Sequence, residues 1–232
     1  MNTFAGEEKR VIVIGAGGHA GVLISTLQLL NREIIGILDP DESRIGKSVL
    51  GINIIGPDDR IFDYDPEAIE IVNGIGSVSK PERRRDVYRR FKSGGYSFAT
   101  VVHPTATIAR GVDMGEGVQI MAGAVVQCGS VIGENVIINT GAIIDHDCVI
   151  GEHVHVAPGV VVSGEVHVGA SSHIGTGATI IQGRTIGREA LIGAGSVVIS
   201  DIPPRKTAIG VPARIFARCI VANHNRVEES KS

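Results

Sequence analysis

From Val102 to Val198 every sixth residue is Val, Ile or Met, seventeen positions in succession without a slip. A period of six fits neither a 3.6-residue helix nor an alternating hairpin strand; it is the mark of a hexapeptide β-helix. Three hexads, about 18 residues, close one triangular coil, and the aliphatics point into a thin prism. The residue after the aliphatic is often glycine, as at Gly115, Gly133, Gly151, Gly169, Gly175, Gly187 and Gly193. Two residues before the next aliphatic the side chain is small or β-branched, as at Ala124, Ser130, Ala142, Cys148, Val160, Ser172, Ala178 and Ser196; Arg184 breaks this rule. A prism this narrow has no room for rings, and after Phe98 the only aromatic residue is Phe216. Hexads of this kind characterise the left-handed parallel β-helix, an exception to the right-handed crossover rule.

Upstream the pattern is different. "RVIVIG" is a continuous apolar run, as expected of a buried parallel strand. "HAGVLISTLQLLNR" has helical periodicity, "EIIGILD" is a second strand ending at Asp39, and "GINIIG" and "AIEIVNGIG" are further strands. "KPERRRDVYRRFKSGG" predicts a helix opened by Pro81 and closed by glycines, followed by a last short strand in "YSFATVV". This alternation predicts a small Rossmann-like α/β domain over residues 1–98. The β-helix follows over 99–213. Pro203 and Pro204 interrupt the ladder, and 214–232 is expected to be a tail, partly helical.

Composition narrows the class of function. The formal net charge is −3, with no basic tract, so nucleic acid is not an expected partner. No run reaches the roughly 18 apolar residues of a membrane span, and the N-terminus lacks a signal-peptide core. Cys128, Cys148 and Cys219 are odd in number and lack metal-type spacing, as suits free thiols in a reducing cytoplasm. "GAGGHA" with Asp39 beyond it fits a dinucleotide fingerprint. A domain of roughly 90 residues, however, has little room for a second mononucleotide half. The same glycines and helix N-terminus would favour the phosphate of a smaller ligand equally well.

In "GAIIDHDCVIGEHVH", residues 141–155, His146 should face outward from its coil, with Asp147 beside it to accept one imidazole N–H. Such a pair makes a general base at neutral pH. Asp145 falls on a corner position. One coil above His146 lies Gly164, whose backbone N–H is open to a bound group because no side chain intervenes. His155 lies half a coil away, on another wall, and His173 stacks over it.

Taken together, "VIGAGGHAGV", "VVHPTATI", "IINTGAIIDHDCVIGEHVHVAPG", "HIGTGATI" and "IGVPARI" resemble the bacterial sugar acetyltransferases of the sialic-acid O-acetyltransferase and nucleotide-4-amino-sugar N-acetyltransferase family. The resemblance spans residues 11–215. It implies acetyl-CoA as donor, a homotrimer with the active site between subunits, and His146 and Asp147 as base and acidic partner. It also implies His155, Gly164, Thr176 and Ala194 as acetyl-CoA contacts. Gly17, Gly18, His19, Asp39 and Gly76 would contact the nucleotide sugar, and no metal is expected. The expected reaction is acetyl transfer to the 4-amino group of a nucleotide-linked 4-amino-4,6-dideoxy sugar. O-acetylation of a sialic-acid-like sugar is the alternative. The segment "SVSKPERRR" and Arg184 depart from the N-acetyltransferase pattern. A zinc-dependent β-helix enzyme, as in carbonic anhydrases with three histidines, fits the histidine spacing poorly. A non-catalytic sugar-nucleotide-binding trimer predicts that loss of His146 changes no activity.

Overall fold

A computed structural model describes residues 9–76 and 81–216. The N-terminal region is a six-stranded sheet. In chain order its elements are β1 (Arg10–Ile14), α1 (Gly18–Leu29), β2 (Ile34–Leu38), β3 (Ser48–Val49), β4 (Ile52–Gly56), β5 (Ile69–Asn73), α2 (Pro81–Ser93) and β6 (Ser97–Phe98). The strand order is β3-β4-β2-β1-β5-β6, parallel throughout except for the β3–β4 hairpin. Successive side chains of β1 serve opposite faces, as the period of a strand requires. Val11 and Val13 join the cluster under α1, whereas Ile12 and Ile14 join Tyr88 and Phe91 of α2.

Beyond β6, seventeen two-residue strands run from Val101–Val102 to Val197–Val198, one for each hexad. They stack into three parallel sheets, the walls of a left-handed triangular β-helix. Register advances by one coil at each pairing: Ile138 meets Val156, and His155 meets His173. The inward aliphatics are fully buried through most of the prism, but at the first coil Met114 is 39% exposed, because no coil lies beneath it. Small polar residues are tolerated inside because each finds a nearby carbonyl. Ser130 Oγ donates to Asp145 O, Ser172 Oγ to Gly187 O and Cys148 Sγ to Ser163 O.

Two local expectations are revised, and one exception to the repeat is accounted for. "YSFATVV" is two strands, not one: Ser97–Phe98 closes the first sheet, and Val101–Val102 already belongs to the β-helix. Arg184 does not enter the prism between Val166 and Ile202, where an unpaired guanidinium would be costly. It turns outward to Gln182 O and Asp201. Of the expected tail, Arg214–Phe216 pairs antiparallel with Thr207–Ile209, and the remainder lies outside the described residues.

Among the described residues the α/β domain packs on the first wall and on the corner between it and the third. There the outward positions Val101, Gln119, Ile137 and His155 are buried. The equivalent positions on the other walls, Ile143, Val161, Val131 and Val149, are 36–42% exposed. No helix among the described residues is long and apolar enough to cross a membrane.

Candidate active site

The N-terminal cleft is built at the carboxyl ends of β1 and β5. Its volume is about 470 Å³, and Gly15, Gly17, Gly18, His19, Asp39, Gly74 and Gly76 lie on its walls with Arg44 and Arg83. Gly15 turns the chain with φ +90°, which favours glycine. Gly17 caps α1 without a side-chain hydrogen bond, and a Cβ on Gly17 or Gly18 would meet open space. The N-terminus of α1 thus lines the cleft with no side chain at Gly17 or Gly18 to obstruct it, an arrangement suited to phosphate. The Asp39 carboxylate is turned inward and braces this loop. It accepts from Ala16 N–H at 2.8 Å and Asp41 N–H at 3.0 Å, while Arg44 reaches both Asp39 and Ala16 O.

From the cleft wall His19 reaches the β-helix, where its Nε2 lies 2.8 Å from Gln119 Oε1. Burial, followed by the positive charge of Arg84, lowers its pKa to about 4. Gln119 was not singled out from the sequence. It is a polar residue at an outward hexad position that the domain covers, and only the packing reveals that.

The second cluster occupies the corner between the second and third walls. His146 Nδ1 lies 2.9 Å from Asp147 Oδ2. A carboxylate only accepts, so Nδ1 carries the proton and Nε2 offers its lone pair. The Asp147 hydrogen bond is the largest cause of a His146 pKa held above the ordinary histidine value. Asp145, as its corner position suggested, turns back to accept from His146 N–H at 2.8 Å. Asp147 adopts φ +56°.

Glycines one coil to either side make room for this pair. A Cβ on Gly164 would come within 2.5 Å of His146 Cε1 and Nε2, and one on Gly129 would strike the Asp147 carboxylate. Gly129 was missed in the sequence, although the 18-residue spacing that picks out Gly164 above His146 equally picks out Gly129 below Asp147.

His155, Thr176 and Ala194 do not join this corner within one chain. Thr176 and Ala194 stand in one column at the corner between the first and second walls, linked by Gly195 N–H to Thr176 O at 2.8 Å. His155 lies on the first wall, 5% exposed, edge-on to His173 at 4.9 Å and 3.1 Å from Asn139 Nδ2. Burial above all, and then the neighbouring His173, His19 and Arg84, push its pKa down to about 2. Among the described residues no group of His, Cys, Asp and Glu is arranged to hold a metal ion.

Comparison with known proteins bears on what these clusters do. Residues 10–91 match the PglD N-terminal domain family, and residues 129–164 match the bacterial transferase hexapeptide family (six repeats). A comparison with curated proteins returned no match. Among solved structures, the chain is similar to a variant of perosamine N-acetyltransferase from Caulobacter crescentus in complex with CoA and GDP-perosamine. The identity is 37%, covering 90% of this chain and 97% of that one, with a TM-score of 0.84. It is also similar to the acetyltransferase domain of PglB from Neisseria gonorrhoeae in complex with acetyl coenzyme A, at 36% identity, 90% and 99% coverage and a TM-score of 0.83. WeeI from Acinetobacter baumannii, at 24% identity and a TM-score of 0.81, shares the fold.

Proposed function

Because the chain belongs to the nucleotide-amino-sugar acetyltransferases built from a PglD-type N-terminal domain and hexapeptide repeats, we propose that it acetylates the 4-amino group of a nucleotide-linked 4-amino-4,6-dideoxy sugar. It is an acetyl-CoA-dependent sugar acetyltransferase; the acceptor and the residue roles are the proposed part. One observation carries the mechanism. His146 Nδ1 is tied to Asp147 at 2.9 Å, while Nε2 is left without a protein partner among the described residues, close under Gly164.

In the proposed reaction the neutral amine attacks the thioester carbonyl carbon. The C–N bond forms, the C–S bond breaks and coenzyme A departs. The nitrogen gives up one proton to His146 Nε2, which passes it to the departing thiolate. Asp147 fixes the tautomer and stabilises the imidazolium. The Gly164 N–H, close to His146, would stabilise the developing oxyanion. Gly17, Gly18 and the α1 N-terminus would take the diphosphate, with His19, Asp39 and Gly76 completing the acceptor site.

His155, Thr176 and Ala194 would serve acetyl-CoA across a boundary between copies. A homotrimer is supported by the exposed apolar ladders of the second and third walls, including Ile143, Val161 and Val131. The free thiols Cys128 and Cys148 suit a cytoplasmic enzyme.

The test is a screen of UDP- and GDP-linked 4-amino-4,6-dideoxy sugars with acetyl-CoA, followed by release of free thiol. Turnover of at least one supports the reading. Turnover of sialic acids alone would replace it with O-acetylation.

A further inference from the structure

Arg84, on α2, is 2% exposed and forms no ion pair among the described residues. Its Nη1 donates to Asn73 O at 2.8 Å and Ile75 O at 2.9 Å, the two carbonyls that bracket Gly74 in the cleft wall. Its Nη2 reaches Asn135 O at 3.4 Å, at a corner of the β-helix where the backbone is left-handed. The same seam carries three further links. Gln119 Nε2 also donates to Asn73 O at 2.8 Å, Asn73 Nδ2 to Asn135 Oδ1 at 3.2 Å, and Asn135 Nδ2 lies 3.0 Å from His153 Nδ1. One continuous chain of polar contacts thus runs from His19 at the cleft to the corner of the prism.

A seam needed only for stability would do as well with apolar side chains, since a buried cation held by carbonyls alone repays little of its desolvation. Burial lowers the pKa of Arg84 to about 9, and its Nε has no hydrogen-bond partner among the described residues. What the guanidinium provides in return is geometry: a rigid fork that holds cleft wall and β-helix in one register. An acceptor held by its nucleotide in one domain must present its amine to groups held by β-helix coils. A misplacement of about 1 Å in such a reaction can cost roughly 100-fold.

We propose that Arg84 is a positioning residue, which registers the acceptor cleft against the β-helix so that the sugar amine arrives in line with the thioester. This rests on the reading under Proposed function. Arg84 touches neither reacting group; it acts through Asn73, Ile75 and Asn135.

The experiment compares wild type, Arg84→Lys and Asn135→Gly with acetyl-CoA and the best acceptor from the sugar screen. Lysine keeps the charge but cannot fork between three carbonyls. Glycine at 135 keeps the left-handed turn and the carbonyl while removing the side-chain links. For protein shown to be folded by circular dichroism, Arg84→Lys should lower kcat about 100-fold and leave the KM for acetyl-CoA within about twofold. Asn135→Gly should lower kcat by a smaller factor, about fivefold, with the same split. A folded Arg84→Lys variant with kcat within about threefold of wild type would overturn the proposal, as would losses that merely track the fraction of folded protein. If Arg84→Lys does not fold, unchanged kcat in Asn135→Gly overturns it. Absence of wild-type turnover with every nucleotide-linked amino sugar would instead remove the reading on which it rests, and the proposal with it.

Discussion

His146 and His155 lie nine residues apart on the same β-helix, yet their environments oppose each other. His146 stands on an exposed corner, hydrogen-bonded to a carboxylate, and its pKa is raised. His155 stands on the one wall that the α/β domain covers, beside His173 and within the field of Arg84 and His19. Its pKa is driven down, and it remains neutral across the physiological range. His146 takes a corner position between two walls, whereas His155 takes an outward strand position on the wall that packs against the second domain. An exposed, charge-partnered imidazole can exchange protons with substrate and solvent. A buried neutral one can only give or accept a fixed hydrogen bond.

The comparison is broken most severely at His146. His146→Ala should lower kcat by about a thousandfold, the usual scale for a general base, while coenzyme A still binds. Steady-state kinetics and calorimetry check this; retention of full acetyl transfer would mean that the exposed histidine is not the base. Gly164→Ala comes next. A methyl group within 2.5 Å of the ring must displace the imidazole, whose far end can move, so the fold survives while kcat falls roughly 10- to 100-fold. Unchanged thermal unfolding alongside the lost turnover would confirm that the damage is local.

Asp147→Asn sharpens the contrast rather than abolishing it. The Asp147 hydrogen bond is the main cause of the raised His146 pKa. The wild-type acid limb of kcat should therefore lie above the ordinary histidine value near 6.5, with activity lost as pH falls through it. In the variant that limb should move to lower pH, while kcat on the plateau falls about tenfold. The pH–rate profile reads both effects.

The smallest effect is on stability. As pH falls through about 6.5 the unfolded chain protonates its histidines, but folded His19 does so only near 4 and folded His155 only near 2. With more protons bound to the unfolded chain, stability should decline from pH 7 to pH 5. His146 contributes in the opposite sense: its part is present at low pH and lost as pH rises through its raised pKa. Urea midpoints measured across this range in wild type and in His19→Gln test the sign, because the variant should lose part of the decline.

How much of this was legible in the sequence depends on where the information resides. The prism was legible because each hexad repeats one local requirement: an inward aliphatic, a small corner residue, an 18-residue column. That spacing alone placed Gly164 over His146 and His173 over His155. It also contained Gly129. The strand break within "YSFATVV" was not legible, because a β-rich run does not reveal that its ends join different sheets. Gln119 and Arg84 were invisible for a different reason. Both become structural only where the α/β sheet region meets the β-helix, and no local pattern records which wall is covered. Asp39 was marked by its distance from the glycine loop, but its inward bracing of Ala16 and Asp41 is a matter of side-chain rotation.

The central claim, that one β-helix holds two kinds of histidine, is tested most directly by NMR titration of imidazole-labelled protein, with His146→Ala and His155→Asn used for assignment. The account predicts that His146 titrates above 6.5 and that His155 shows no titration between pH 8 and pH 5. A His146 midpoint at or below 6.5, together with a His155 that titrates near 6.5 in folded protein, would contradict it.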